Sequence, residues 1–238
     1  MNVAIVGVGN ISRTHMEAWK HIPEATVVAV CDIRQEMIDR AVGITGARGY
    51  LDFTQMLDNE RIDILDICLP TYLHADFAVQ AMERGIHVLT EKPLSLYKKD
   101  VARTYEVAQR KNVRFMTAQV LRFWHEYELL REAYQSGKYG PLVSATMTRL
   151  GSTPRSSWDN WMIDEQRSGL TPFDLHIHDL DFLIYTFGEP KDMQVNRARG
   201  AKRDDIHVVY HYDGFFVSCQ ATWHNAVFRF RSGYRFQF

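Results

Sequence analysis

Three groups of residues have types and spacings suited to chemistry. The first is Gly7-Val8-Gly9-Asn10-Ile11-Ser12, directly after the apolar run Val3 to Val6. In a G-x-G-x-x-G turn the first glycine permits the tight bend and the second lets the backbone approach a pyrophosphate. The third position, filled here by the small Ser12, lets helix and strand pack closely. A helix opening at that turn offers free amides and a positive dipole end to phosphates. Asp32 closes the next apolar run, about 20 residues on, where a carboxylate would hold the adenosine ribose hydroxyls. It would repel a 2′-phosphate, which favours NAD over NADP. Arg34 either softens that preference by pairing with a phosphate or is a solvated charge.

The second group is Glu91-Lys92-Pro93, after the apolar run Ile86 to Leu89. That position puts Lys92 at the carboxyl edge of an open sheet, where ligands bind. An ammonium there brings three donors and a tunable pKa to a substrate hydroxyl, although Glu-Lys-Pro alone also fits an ordinary polar loop. The third group lies on a helix expected over Pro172 to Phe187. Asp174, His178, Asp181 and Tyr185 share one face at i, i+4, i+7 and i+11, beside an anchoring stripe of Phe173, Ile177, Leu180 and Ile184. An imidazole titrates near neutrality, so His178 can accept a hydroxyl proton while Asp174 orients it. The same spacing also fits a partly exposed helix with ordinary i,i+4 pairs. A metal held by Asp174, His176, His178 and Asp179 is disfavoured, because His176 and His178 point opposite ways on a helix. No metal is expected.

The elements that must position these groups alternate through the first half. Strands are expected at Val3 to Val6, Val27 to Cys31, Ile62 to Leu69, Ile86 to Leu89 and Phe115 to Ala118. Helices are expected at His15 to Ile22, Gln35 to Val42, His74 to Arg84 and Lys98 to Arg110, with Gly85 as a left-handed cap. This rhythm implies an α/β fold, a doubly wound parallel sheet over residues 1–119. From residue 120 to 238 a second, α+β domain is expected. It has a helix from His125 to Ser136, strands at Leu142 to Leu150, Lys191 to Arg199, Asp205 to Tyr212, Phe215 to Trp223 and Ala226 to Phe238, and a mostly antiparallel sheet. Gly151 to Gly169 has no clear period. Its Trp158 and Trp161 either stack on a sugar ring or belong to the core or an interface. The last segment, with Phe228, Phe230, Tyr234, Phe236 and Phe238, lines up large aromatics with no partner following in sequence. It is expected either to lack further strands or to be covered by another subunit.

The 238 residues are 46% hydrophobic and 24% charged, with a formal net charge of -1. That is enough chain for a buried core, and its charge balance gives no nucleic-acid footprint and no polybasic membrane patch. No apolar run reaches the length of a membrane span, and the start is too short for a signal peptide. Cys31, Cys68 and Cys219 are odd in number and scattered, which argues against a disulfide framework and fits a cytoplasmic location. Cys31 and Cys68 lie in apolar runs and read as small core residues.

Together, the glycine turn with Asp32, Leu69-Pro70-Thr71 with His74, Gly85 through Leu94 and Asp174-x-x-x-His178 resemble the Gfo/Idh/MocA family (glucose-fructose oxidoreductase, inositol dehydrogenase, rhizopine catabolism). The resemblance extends over essentially the whole chain. It implies a Rossmann domain, a C-terminal α/β domain whose sheet mediates homo-oligomers (dimer or tetramer), and NAD(P)-dependent oxidation or reduction of sugars, cyclitols and related polyols. It implies Lys92, Asp174 and His178 as the catalytic group, with His178 as acid/base. The implied cofactor set is Gly7, Gly9, Asn10, Ile11, Ser12, Asp32 and Ile33, continued by Leu69, Pro70, Thr71, His74, Glu91, Lys92 and Gln119. Arg122 joins Lys92, Asp174 and His178 in the implied substrate set, to which the ring-stacking reading adds Trp161. His176 stands where relatives usually have glycine and would alter the substrate pocket. Members of the family usually continue well past Phe238, so missing sheet strands are expected. The resemblance also leaves open a non-redox enzyme that uses tightly bound NAD transiently, as glycosidase-like members do, and a cofactor-sensing regulatory protein.

Overall fold

The computed structural model describes residues 1–227 and 229–238. The chain forms two compact units, Met1–Ala118 and Gln119–Phe238.

In the first unit six parallel strands, β1 (Asn2–Val6), β2 (Thr26–Cys31), β3 (Arg48–Tyr50), β4 (Ile64–Ile67), β5 (His87–Thr90) and β6 (Phe115–Thr117), form a sheet in the order β3-β2-β1-β4-β5-β6. Helices α1 (Ser12–Trp19), α2 (Gln35–Thr45), α3 (Phe53–Asn59), α4 (His74–Glu83) and α5 (Lys98–Lys111) connect them. Two apolar clusters sandwich the sheet, one including Ala4, Leu65, Met82 and Val88, the other Val3, Ile5, Met16 and Val30. Burial on both faces explains why β1 reads as a continuous apolar run. The order reverses between β1 and β4, which opens the crevice where such sheets take ligands. Gly85 caps α4 at φ 80, as expected. Strand β3 and helix α3 were not expected, since three residues of strand and seven of helix leave little periodicity. Cys31 and Cys68 are buried free thiols, also as expected.

The second unit carries α6 (His125–Ser136), β7 (Ser144–Ser152), the short α7 (Glu165–Ser168), α8 (Ile177–Phe187), and the strands β8 (Asp192–Gly200), β9 (Arg203–His211), β10 (Phe216–His224) and β11 (Arg231–Gln237). Its sheet order is β11-β7-β10-β9-β8, and among the described residues only the β10/β7 pair is parallel. Alternate inward residues such as Met147, Val208, Val217 and Cys219 pack with Leu121, Tyr127, Phe182 and Leu183. The last strand begins later than expected, and Phe228 lies outside the described residues. The aromatics of β11 do have partners. Tyr234 meets Tyr127 at 5.2 Å and Phe236 meets Phe187 at 6.1 Å, so the unit's own helices cover part of that face, while Tyr234 stays 39% exposed and Phe230 52% exposed. The partners precede the strand in sequence, which an end-of-chain pattern does not reveal.

Candidate active site

The glycine turn is shaped by what a side chain would strike. Gly7 sits at φ 82, and a Cβ there would lie 2.8 Å from the backbone of Cys68 and Leu69, where β4 ends. Only glycine fits both the angle and the approach. A Cβ at Gly9 would meet no protein atom within 4 Å. The bare backbone at Gly9 therefore leaves room for something other than the protein's own packing. Ser12 is fully buried and donates its hydroxyl to Gly9 O at 2.8 Å, so the third motif position ties the turn instead of merely vacating it. Ile11 gives α1 no side-chain cap, and no acid lies in its first turn. Arg13 N and Thr14 N already bond back to Asn10 O and Ile11 O at 3.4 and 3.0 Å, so an anion at this turn would draw on the amides that precede them. Asp32, 8% exposed at the end of β2, accepts from Val8 N at 3.0 Å and from Arg34 N and Nε at 3.1 and 3.2 Å. Arg34 pairs with Asp32, an arrangement neither sequence alternative foresaw. Ile33 beside it is exposed. These features fit the adenosine half of a dinucleotide.

Around the ends of β4 and β5 the polar side chains brace the crevice. His74 is 1% exposed, with Nδ1 2.7 Å from Pro93 O and Nε2 2.7 Å from Leu69 O, so its ring fastens the segment after β4 to the one after Lys92. Burial pushes its pKa down against those two carbonyls. Thr71 is buried and Pro70 half-buried beside it. Glu91 Oε2 accepts from Lys92 N at 3.0 Å. Burial alone would raise the Glu91 pKa, but a hydrogen bond from His15 and the charge of Lys92 hold it below the ordinary carboxylate range. Lys92 itself is half-buried.

In the second unit Asp174 lies on a wide π-turn, Pro172–His176, and His178 is the second residue of α8. The expected regular helix over Pro172 to Phe187 is thus corrected at its start, and such wide turns gather at functional sites. The turn is launched by Leu170, a buried leucine at φ 58, whose carbonyl accepts from Asp174 N at 2.8 Å. Thr171 N and Oγ1 each reach Asp204 at 3.1 Å, and Arg197 clamps that carboxylate through two 2.9 Å bonds. Burial works against ionising Asp204, but Arg197 and Thr171 hold its pKa down.

The face that α8 buries is not the expected stripe. Ile184 is 43% exposed, whereas His176, Asp179, Phe182 and Leu183 are buried. Apolar residues surround this segment, so the pattern admits several faces, and partners on distant strands decide. Asp179 Oδ1 accepts from Arg149 Nε at 2.8 Å, and Arg149 Nη2 donates to Tyr127 Oη at 3.1 Å, all buried. His176 Nε2 lies 2.7 Å from Tyr210 Oη. His176 therefore packs into the unit's core against the sheet, which corrects the expectation that it shapes a substrate pocket. Arg122, expected at the substrate, forms a two-pronged pair with Asp181 at 2.8 and 2.5 Å, and Tyr185 is stacked between Arg122 and Arg131. Of the shared polar face, Asp181 and Tyr185 are thus occupied by arginines. Gln119 Oε1 is buried with no donor among the described residues, which suits a ligand or water donor at this position. Trp161 is half-buried and Trp158 40% exposed, on a short helical stretch broken by left-handed Asp159 and Asn160.

Burial pushes the His176 pKa down to about 4, helped by the charge of Arg149. As pH falls from 6.5 toward 4 the unfolded chain takes up a proton that the folded chain refuses. The stabilising contribution is present above pH 6.5 and lost below it, by about 1.4 kcal/mol per pH unit. The stability gap between wild type and His176→Gln should therefore narrow by about 2 kcal/mol between pH 7.5 and 5, measured by urea denaturation. A constant gap would show that the folded protein protonates His176.

The first unit has the architecture of a dinucleotide-binding Rossmann unit, and the second presents an Asp-His helix on a mostly antiparallel sheet. Residues 1–119 match the model described as oxidoreductase family, NAD-binding Rossmann fold, and residues 127–237 match the GFO/IDH/MocA C-terminal domain. The chain belongs to the Gfo/Idh/MocA family. It is 29% identical over 192 residues to myo-inositol 2-dehydrogenase of Thermotoga maritima, covering 79% of this chain and 55% of that protein. It is 27% identical over 153 residues to a glycosyl hydrolase family 109 protein of Shewanella, covering 60% of this chain and 33% of that one. Among solved structures, the WlbA dehydrogenase of Chromobacterium violaceum, in complex with NADH and UDP-GlcNAcA, superposes with a TM-score of 0.83 at 25% identity. That match covers 93% of this chain and 66% of that one. The chain spans about half the length of the curated relatives it matches. No helix among the described residues is long and apolar enough to cross a membrane.

Proposed function

We propose that the protein is an NAD-dependent oxidoreductase that interconverts a hydroxyl and a carbonyl on a sugar, cyclitol or related polyol. The observation that carries this reading is the turn at Gly7 and Gly9, backed by an uncapped α1 and the Asp32 carboxylate, in a chain that also carries Lys92, Asp174 and His178. When bound, NAD supplies the hydride acceptor. His178 takes the proton of the reacting hydroxyl, Asp174 orients the imidazole or the substrate, and Lys92 holds the substrate oxygen with an N–H donor. Holding the reacting groups together in the right orientation supplies much of the rate. The dehydrogenase and sugar-nucleotide names among the relatives support the substrate class. Assembly through the second unit's sheet into a dimer or tetramer, and a cytoplasmic location, belong to the same proposal.

The test is calorimetric titration with NAD and NADP, followed by absorbance at 340 nm with a panel of polyols and sugars. NAD binding and NADH accumulation are the expected results. The glycosidase-named relatives support a second reading. Substrate consumption without NADH accumulation, by protein that keeps its cofactor through purification, would favour it. Cofactor binding without any turnover would indicate a sensing protein. No binding of either dinucleotide by folded protein would sink both catalytic readings.

Cofactor choice is expected to turn on Asp32. Asp32→Ser removes the repelling carboxylate and releases Arg34 from its ion pair, free to meet a 2′-phosphate. The ratio of NADP to NAD affinity should rise by roughly tenfold or more, read from the same titrations.

A further inference from the structure

One cluster in the first unit is left unused by the proposed reaction. His15 on α1 lies between two buried carboxylates. Its Nδ1 is 3.0 Å from both oxygens of Asp66, in the middle of β4, and its Nε2 is 3.0 Å from Glu91 Oε1, just after β5. Asp66 is fully buried and Glu91 is 9% exposed. Trp19 Nε1, one turn further along α1, donates to Asp66 Oδ2 at 2.7 Å, and Cys68 Sγ lies 3.8 Å from Asp66 Oδ1.

Two carboxylates this deep need a positive partner, because an uncompensated buried charge is strongly destabilising. The imidazole meets the need only when both nitrogens carry protons, since both face acceptors. Burial pulls the His15 pKa down, but the bonds to Asp66, Cys68 and Glu91 outweigh it and hold the pKa well above the ordinary value. These donor types also suit a metal, yet a doubly protonated ring has no lone pair left to ligate one. The second oxygen of Glu91 accepts the Lys92 backbone N–H. One chain of contacts thus runs from α1, whose N-terminus faces the phosphate turn, through His15 and Glu91 to Lys92.

We propose that His15 is a positioning residue that, clamped between Asp66 and Glu91, couples the phosphate-facing helix to Lys92 and sets the electrostatic environment of that lysine. This rests on the reading of Lys92 as a catalytic group. Removing the imidazolium leaves Glu91 uncompensated beside Lys92, and a nearby carboxylate favours the ammonium form.

The test compares wild type, His15→Gln and Glu91→Gln by acetic anhydride labelling of Lys92 across pH, quantified by peptide mass spectrometry, alongside NADH fluorescence titration and thermal melting. In His15→Gln the pH of half-labelling should rise by about one unit. NADH affinity should stay within about threefold of wild type, because both ring nitrogens face carboxylates and none faces the phosphate turn. In Glu91→Gln the half-labelling pH should fall. An unchanged Lys92 profile in both folded variants overturns the proposal, as does a loss of NADH binding that tracks a lowered melting temperature. If His15→Gln does not fold, the Glu91→Gln profile decides alone. Labelling needs no substrate, so the coupling can hold even if Lys92→Met proves fully active. That second result would sink the catalytic reading of Lys92 and leave the clamp standing.

Discussion

His178→Gln should lower kcat by about 10²–10⁴-fold on any polyol or sugar that the wild type oxidises, with NADH affinity nearly unchanged. The expectation comes from role separation. The glycine turn, α1 and Asp32, proposed to hold the dinucleotide, lie in the first unit, whereas His178 sits near the start of α8 in the second. Glutamine keeps polarity and approximate length but cannot accept a proton at neutral pH. Lys92→Met should cost a similar factor, because methionine preserves the stem and removes all three donors. If the two act on one reacting oxygen, the double variant should lose far less than the product of the single losses. Stopped-flow absorbance at 340 nm with an NADH titration separates the chemical step from binding. A His178→Gln enzyme with wild-type kcat would remove the histidine from the reaction.

Asp179→Ala should destabilise the second unit by about 3–5 kcal/mol, since it leaves Arg149 buried without its counter-ion. Arg149 is 3% exposed and Asp179 is 1% exposed, and the pair is bonded through one carboxylate oxygen only. Burial pushes the Asp179 pKa up to about 6 in spite of Arg149. As pH falls from 6 toward 3.8 the folded chain binds a proton that the unfolded chain does not. Asp179 therefore favours the folded state on acidification, opposite in sign to His176. Replacing both partners with apolar residues, Arg149→Met with Asp179→Leu, should recover most of the loss. Urea denaturation of the two single variants and the double variant checks this. A loss below about 1 kcal/mol in Asp179→Ala would mean that water already reaches the pair.

Much of the first unit was legible because its signals are local. A strand, a glycine turn, a helix and an acid on the next strand fall within about 30 residues, and each follows from a short-range rule. Residues Arg48 to Asn59 were not, because β3 and α3 are too short to show a period. The second unit was legible in its strands and less so in its helix. Asp174 and His178 stand out by spacing, but nothing local announces the π-turn, which depends on Leu170 and on Asp204, 33 residues beyond Thr171. Arg149 and Asp66 each interrupt an apolar strand pattern at an inward position. A charge there signals a buried partner, although not which one, and Asp179 and His15 are 30 and 51 residues away. The family resemblance implies that His74 and Glu91 line the cofactor cleft, and their polar atoms are engaged by the protein's own frame, which only the three-dimensional contacts reveal.

The leucine that starts the π-turn carries a built-in opposition. A non-glycine residue in the left-handed region costs about 1–2 kcal/mol, and burying a leucine side chain returns about 1.5–3 kcal/mol. With Leu170 only 6% exposed, burial wins by a small margin. The segment bearing Asp174 is therefore held like a lightly loaded spring, with tension and grip supplied by one residue. Glycine there would slacken both together and leave the carboxylate less firmly aimed.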